Sequence, residues 1–164
     1  MNMPILVVGI DGSPASHSAL RYALDEAATD GYGVHALTCW SESTRAKTGS
    51  RLPRADSYDH ASRIQRKTIF EVAANAQEIR LVLCQIDEGA AGPLLVAAAN
   101  KATKLIIGAS PKRTLARMPG HDVDEYCLRH ANVPVVVVPW RPDGLEEHDI
   151  EVDLRHDDRN SSAV

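Results

Sequence analysis

Residues 105–139 read LIIGASPKRTLARMPGHDVDEYCLRHANVPVVVVP. The stretch opens on a short apolar run ending at Gly108 and closes on Val135-Val136-Val137-Val138 between Pro134 and Pro139. Uninterrupted β-branched runs bounded by glycine and proline read as strands buried on both faces. Between them lies a polar loop with three cations, Lys112, Arg113 and Arg117. A helical segment follows behind Asp122, a good N-cap type, with Val123, Tyr126, Cys127 and His130 at helical spacing. Strand, loop, helix and strand make one βαβ unit. In open parallel sheets ligands sit at such loops, beyond the carboxyl ends of the strands, so this loop is the first place to look for a site.

The same pattern extends backwards along the chain. Ile5–Ile10 is continuously apolar and ends at Asp11-Gly12-Ser13-Pro14, where Ser13 suits an N-cap and Pro14 the first helical position. Ala15, Ala19, Leu20, Ala23, Leu24 and Ala27 form one face of a helix that Gly31 and Gly33 stop, and the small alanines let it lie close to a sheet. Val34–Trp40 predicts a second strand. Ser41–Ser57 is polar, aperiodic and interrupted by Gly49 and Pro53, which predicts a long loop. Tyr58–Gln77 has helical spacing through Ala61, Ile64, Thr68, Val72, Ala73 and Ala76. Ile79–Ile86 predicts the third strand, and Leu94–Ala102 a short helix after Gly89, Gly92 and Pro93.

The resulting βαβαβαβαβ order predicts an α/β fold with an open parallel five-stranded sheet and helices on both faces. A strand order of 3-2-1-4-5 places the first and fourth strands side by side with their connections leaving in opposite directions. The crevice at that switch point is flanked by Asp11 and Gly108.

Composition narrows the function classes. The net charge is −4, but Arg141–Val164 carries eight acids against three arginines, leaving 15 basic and 14 acidic side chains in residues 1–140. A body so close to neutral does not suggest a nucleic-acid-binding surface. The division predicts one domain over 1–140 and a tail over 141–164, acidic and too poor in apolar residues to offset ordering entropy. That tail reads first as solvated, with a regulatory acidic arm as the sharper alternative. Cys39, Cys84 and Cys127 are dispersed inside apolar segments, so the expectation is small buried thiols and no metal site. No apolar run reaches membrane-spanning length and no basic region precedes the first apolar residues, which predicts a cytoplasmic protein.

Three stretches add up to a family resemblance: VVGIDGSPASHSALRYALDEA at 7–27, LIIGAS at 105–110 and YCLRHANVPVVVVP at 126–139. The chain resembles a universal stress protein domain over about residues 3–140, in pattern only across 41–104. The resemblance implies an adenine nucleotide alpha hydrolase-like fold, a non-enzymatic role in stress response, and a homodimer pairing through the last strand, Val135–Val138. An exposed edge of that kind invites pairing with another chain. It also implies that Asp11 meets the adenine or ribose of a bound nucleotide, with Cys39 nearby. Family members that bind ATP carry Gly-x-x-Gly, nine residues, then Gly-Ser or Gly-Thr after the fourth strand. Counted from Gly108, those positions hold Pro111 and His121-Asp122.

The departure is chemical as well as formal. Proline has no N–H to offer and fixes φ, while glycines in a phosphate loop let backbone N–H groups approach oxygens. Asp122 puts a carboxylate at the helix amino terminus that a phosphate would prefer. Like unit charges about 4 Å apart repel by about 1 to 4 kcal/mol. Each lost hydrogen bond to a charged oxygen removes about 1.5 to 3 kcal/mol more, out of about 8 kcal/mol for a micromolar site. Lys112, Arg113 and Arg117 recover part of this without fixed geometry. The expectation is weak or absent ATP binding and action through an unidentified protein partner. The competing expectation is an adenine-nucleotide sensor using Asp11, Cys39, Gly108, the three cations, His121 and Asp122.

Other readings are weaker. Gly108-Ala109-Ser110-Pro111-Lys112 half-resembles a nucleophile elbow but lacks its second glycine, and no Ser-His-Asp order supports a hydrolase. An adenylating enzyme would want a glycine-rich loop where Asp11-Gly12-Ser13 stands. The seven histidines show no ligand spacing, and His130 reads as structural. Asp11 itself reads equally well as a cap on the turn before the first helix.

Overall fold

In the computed structural model, which describes residues 3–41, 57–76, 80–109 and 123–140, five strands pair in parallel in the order β3-β2-β1-β4-β5. They are β1 (Ile5–Gly9), β2 (Gly33–Trp40), β3 (Leu81–Glu88), β4 (Lys104–Gly108) and β5 (Val135–Val138). The helices between them are α1 (Pro14–Asp30), α2 (Tyr58–Ala73), α3 (Ala91–Ala99) and α4 (Val123–His130). Among the described residues no helix is long and apolar enough to cross a membrane. Both the alternation and the 3-2-1-4-5 order follow the sequence expectation.

Period-two burial divides the core into two layers. Leu6, Val8 and Ile10 of the first strand, with Val34, Ala36 and Ile106, meet the apolar face of α1 and Val72 of α2. Val7, Leu37, Leu105 and Ile107 point the other way, onto Leu95 and Ala99 of α3 and Cys127 of α4. The α1 face is the predicted one: Ala15, Ala19, Leu20, Ala23, Leu24 and Ala27 are all buried. Ser13 caps α1, its hydroxyl accepting the Ser16 N–H at 3.1 Å, and Pro14 sits in the first turn where its missing N–H costs nothing. Gly31 closes the helix at φ 74°. At the far end Lys104 pairs with Glu26, tying the start of β4 to α1.

Three expectations need correction. The third helix begins at Ala91, ahead of the expected Leu94, and ends at Ala99 instead of Ala102. Pro93 lies in its first turn, where backbone N–H groups have no helical acceptor anyway, so the Gly-Pro punctuation falls inside the helix. Gly92 belongs there because Tyr126 of α4 presses on it: an added Cβ would stand 2.7 Å from the ring. Second, β3 is Leu81–Glu88 instead of 79–86, and residues 77–79 lie outside the described ones. Third, the β5 valines are half-buried and not enclosed on both faces, as befits an edge strand with one neighbour. The predicted loop 41–57 and the tail 141–164 lie almost wholly outside the described residues.

The α2 face carries one residue that apolar periodicity passes over. Gln65 is buried, and its amide N–H groups face the Gln85 carbonyl at 2.8 Å, the Thr38 hydroxyl at 3.2 Å and the Ala36 carbonyl at 3.3 Å. A buried amide survives only with partners, and here the partners lie on two adjacent strands. Gln65 thereby pins α2 across the β2–β3 pair. Replacing it by the similarly sized leucine (Gln65→Leu) should lower stability by about 1–3 kcal/mol by stranding the Thr38 hydroxyl. Urea unfolding would show this as a lower midpoint at unchanged slope.

Candidate functional site

At the carboxyl ends of β1, β2 and β4 the register brings the sequence-predicted residues to one level. Gly9 pairs with Leu37, so Asp11 and Cys39 each stand two residues beyond a paired position on adjacent strands. Val8 pairs with Ile106, which sets Gly108 level with Ile10 on the other side of β1. The topological switch point lies where the connections part, with α1 leaving β1 towards β2 and α4 joining β4 to β5.

Each residue there has a local structural duty. The Asp11 carboxylate accepts the Ser13 N–H at 2.9 Å across Gly12, whose φ of 79° suits glycine and whose added Cβ would meet Ile64 of α2 at 2.9 Å. The turn is closed further by Ser16, whose hydroxyl donates to the Ser13 carbonyl at 2.9 Å. His17 joins the same carbonyl to Glu71 of α2, with a ring nitrogen 2.8 Å from each. Gly108 is required by close approach: a Cβ there would stand 2.5 Å from the Ala15 backbone carbon. It is a packing glycine whatever else it does.

Cys39 packs at the edge of the α3–α4 layer. Burial, with Asp87 and Cys127 as smaller causes, pushes its thiol up to about 12, and burial beside Asp124 pushes Cys127 up to about 11. Both thiols are therefore protonated at neutral pH, which fits the packed, inert reading of Cys127. Two thiols correct the expectation of three buried ones: Cys84 is exposed on the edge strand β3, and Cys39 is half-buried. His130 is structural as anticipated: its Nδ1–H donates to the Tyr126 carbonyl at 2.9 Å and its ring stacks on Tyr126 at 4.1 Å.

Sequence reasoning missed a polar string on β2 and β3. Gln85 donates to the Asp87 carboxylate at 2.6 Å, and Asp87 pairs in register with Cys39. His35 is buried next to Gln85; desolvation holds its imidazole below the usual range, against smaller opposing effects from Gln85 and Asp87. These residues sit inside strands, so the apolar-run reading passes over them. Asp11, Asp87 and Glu88 make this end of the sheet acidic, with no lysine or arginine among the described residues there. The described residues hold no group of His, Cys, Asp and Glu suited to a metal ion. Pro111, Lys112, Arg113, Arg117, His121 and Asp122, named from sequence, lie outside the described residues.

The profile of the Universal stress protein family matches residues 2–139. The chain belongs to the universal stress protein family. Solved structures agree on the fold. A universal stress protein in complex with cAMP is 23% identical, with a TM-score of 0.64 over 84% of this chain and 98% of its own. UspA from Lactobacillus plantarum is 17% identical, with a TM-score of 0.62 over 84% of this chain and 99% of its own. A universal stress protein from Archaeoglobus fulgidus in complex with dAMP is 18% identical, with a TM-score of 0.51 over 84% of this chain and 98% of its own. No curated protein is significantly similar to the chain.

Three outcomes follow for this universal stress protein. Gly108→Ala should cost about 1–3 kcal/mol through overpacking against Ala15, read as a fall in the urea midpoint. Among the thiols, Cys84 should react first with a disulfide reagent in the native state, and Cys39 and Cys127 only on unfolding. The native protein also keeps those two protonated after the unfolded chain releases their protons near 9.0. The unfolded state then binds fewer protons, so stability should fall as pH rises above about 9.

Proposed function

We propose that this universal stress protein is a non-enzymatic, dimeric module that acts through protein partners, with a crevice that no longer holds ATP well. The observation that carries the reading is Pro111 and His121-Asp122 at the positions where ATP-binding relatives are expected to place glycines and a hydroxyl residue. Proline removes a backbone donor and aspartate sets a carboxylate where phosphate would sit. The acidic rim of Asp11, Asp87 and Glu88 adds to the repulsion of a polyphosphate. Asp11 retains a duty without any nucleotide, since it caps the turn before α1. The two-fold contact falls on β5, whose outer edge has no strand beside it among the described residues. In this reading the protein works in the cytoplasm.

One observation favours a second reading. Two structures of the same fold are complexes with cAMP and with dAMP, and a mononucleotide needs no cradle for a β- or γ-phosphate. Asp11 and Gly108 still flank the crevice, so an adenine mononucleotide is the ligand that would fit this chain if any nucleotide does.

Protein denatured after purification should release no nucleotide on chromatography, and its melting temperature should not move with millimolar ATP, AMP or cAMP. Sedimentation equilibrium should give twice the 17.8 kDa chain mass. A co-purified nucleotide, or a melting shift abolished by Asp11→Ala, would replace the scaffold reading with the sensor. A monomer would remove the dimer.

A further inference from the structure

The outward face of α2 carries Arg63, Arg66, Lys67 and Phe70, spaced i, i+3, i+4 and i+7 and therefore aligned in one stripe. All four are exposed, and the chain's one phenylalanine is 77% exposed. The stripe lies opposite the face that α2 buries through Ala61, Gln65, Thr68 and Val72. Asp59 and Glu71 stand at its two ends, and Glu71 is engaged by His17 at 2.8 Å and by Lys67 at 3.8 Å. Arg66 donates locally to the Ser62 carbonyl at 3.4 Å. Phe70 stands one helical turn from Arg66 and Lys67, and an exposed ring beside cations suits a ligand that is both acidic and apolar.

The chain contains such a ligand. Residues 146–154 read EEHDIEVDL, five acids with Ile150, Val152 and Leu154 on alternate positions at the end. We infer that this segment of the acidic tail docks on the α2 stripe of its own chain, its carboxylates against Arg63, Arg66 and Lys67 and its apolar residues on Phe70. Reach permits it. Trp140 follows β5, three strand spacings from β2, or about 14 Å at about 4.8 Å each, and the outward face of α2 lies about 15 Å above the sheet, beyond α1. Residues 141–149 span up to about 30 Å. Among the described residues the stripe is the densest set of cations, three within five positions. A tail that builds no core of its own is ordered here by its partner surface, as segments of this composition are.

Zero-length carbodiimide coupling of the full chain tests this, because it joins a carboxylate to a lysine only in contact. In a mixture of unlabelled and isotopically labelled protein, the expected dominant tail product joins Lys67 to a carboxylate of 146–153 within one chain. Its yield should fall at least about threefold in the doubly neutralised Arg63→Gln/Arg66→Gln chain. A comparable fall is expected in about 0.5 M salt. Both substitutions are on exposed side chains, and circular dichroism checks that the fold is kept. Tail coupling to Lys67 no greater than to the exposed Lys101 would overturn the inference. Products of mixed isotope would also overturn it, assigning the stripe to a second copy.

Discussion

A helix faced with alanine can approach a sheet more closely than one faced with leucine, and the geometry of this molecule rests on that approach. Ala15, Ala19, Ala23 and Ala27 bring α1 down over β1 and β4, so near that a Cβ at position 108 would overlap the Ala15 backbone. The contact holds the two strands of the switch point under one helix and fixes where the crevice opens. The turn that starts α1 is closed by Asp11, Gly12 and Ser13 in the same few residues. Fold and site therefore share their residues here, and Asp11 and Gly108 have structural work to do whether or not a ligand ever arrives.

That sharing explains what the sequence reveals. Residues whose role is set by local chemistry and periodicity were legible: the α1 face, the Ser13 cap, the Gly31 stop and the order of elements. Residues whose role depends on neighbours distant in sequence were not. Gln65 looks like a polar interruption of a helix until β2 and β3 supply its acceptors. Gly92 looks like a turn signal until α4 places Tyr126 against it, so the sequence pattern sets the start of α3 too late. Cys84 reads as buried because its strand is apolar, yet an edge strand leaves it exposed. The polar string of His35, Gln85 and Asp87 was hidden in the same way.

The candidate site divides along the same line. Topology alone brings Asp11, Cys39 and Gly108 to one end of the sheet, and it would do so in any chain of this fold. In the proposed reading, what separates a nucleotide receptor from a scaffold is the loop chemistry at Pro111, His121 and Asp122, a matter of three side chains and of a donor that proline lacks. A kept fold and a weakened ligand site would be compatible in this reading, because Gly108 packs against α1 whether or not a phosphate is cradled.

The most direct test restores the missing parts. Calorimetric titration of ATP with magnesium would be run on the native chain and on Pro111→Gly/His121→Gly/Asp122→Ser. The account predicts a native Kd weaker than about 1 mM and a gain of at least about tenfold in the restored chain. Micromolar binding by the native chain, or no gain on restoration, would contradict it.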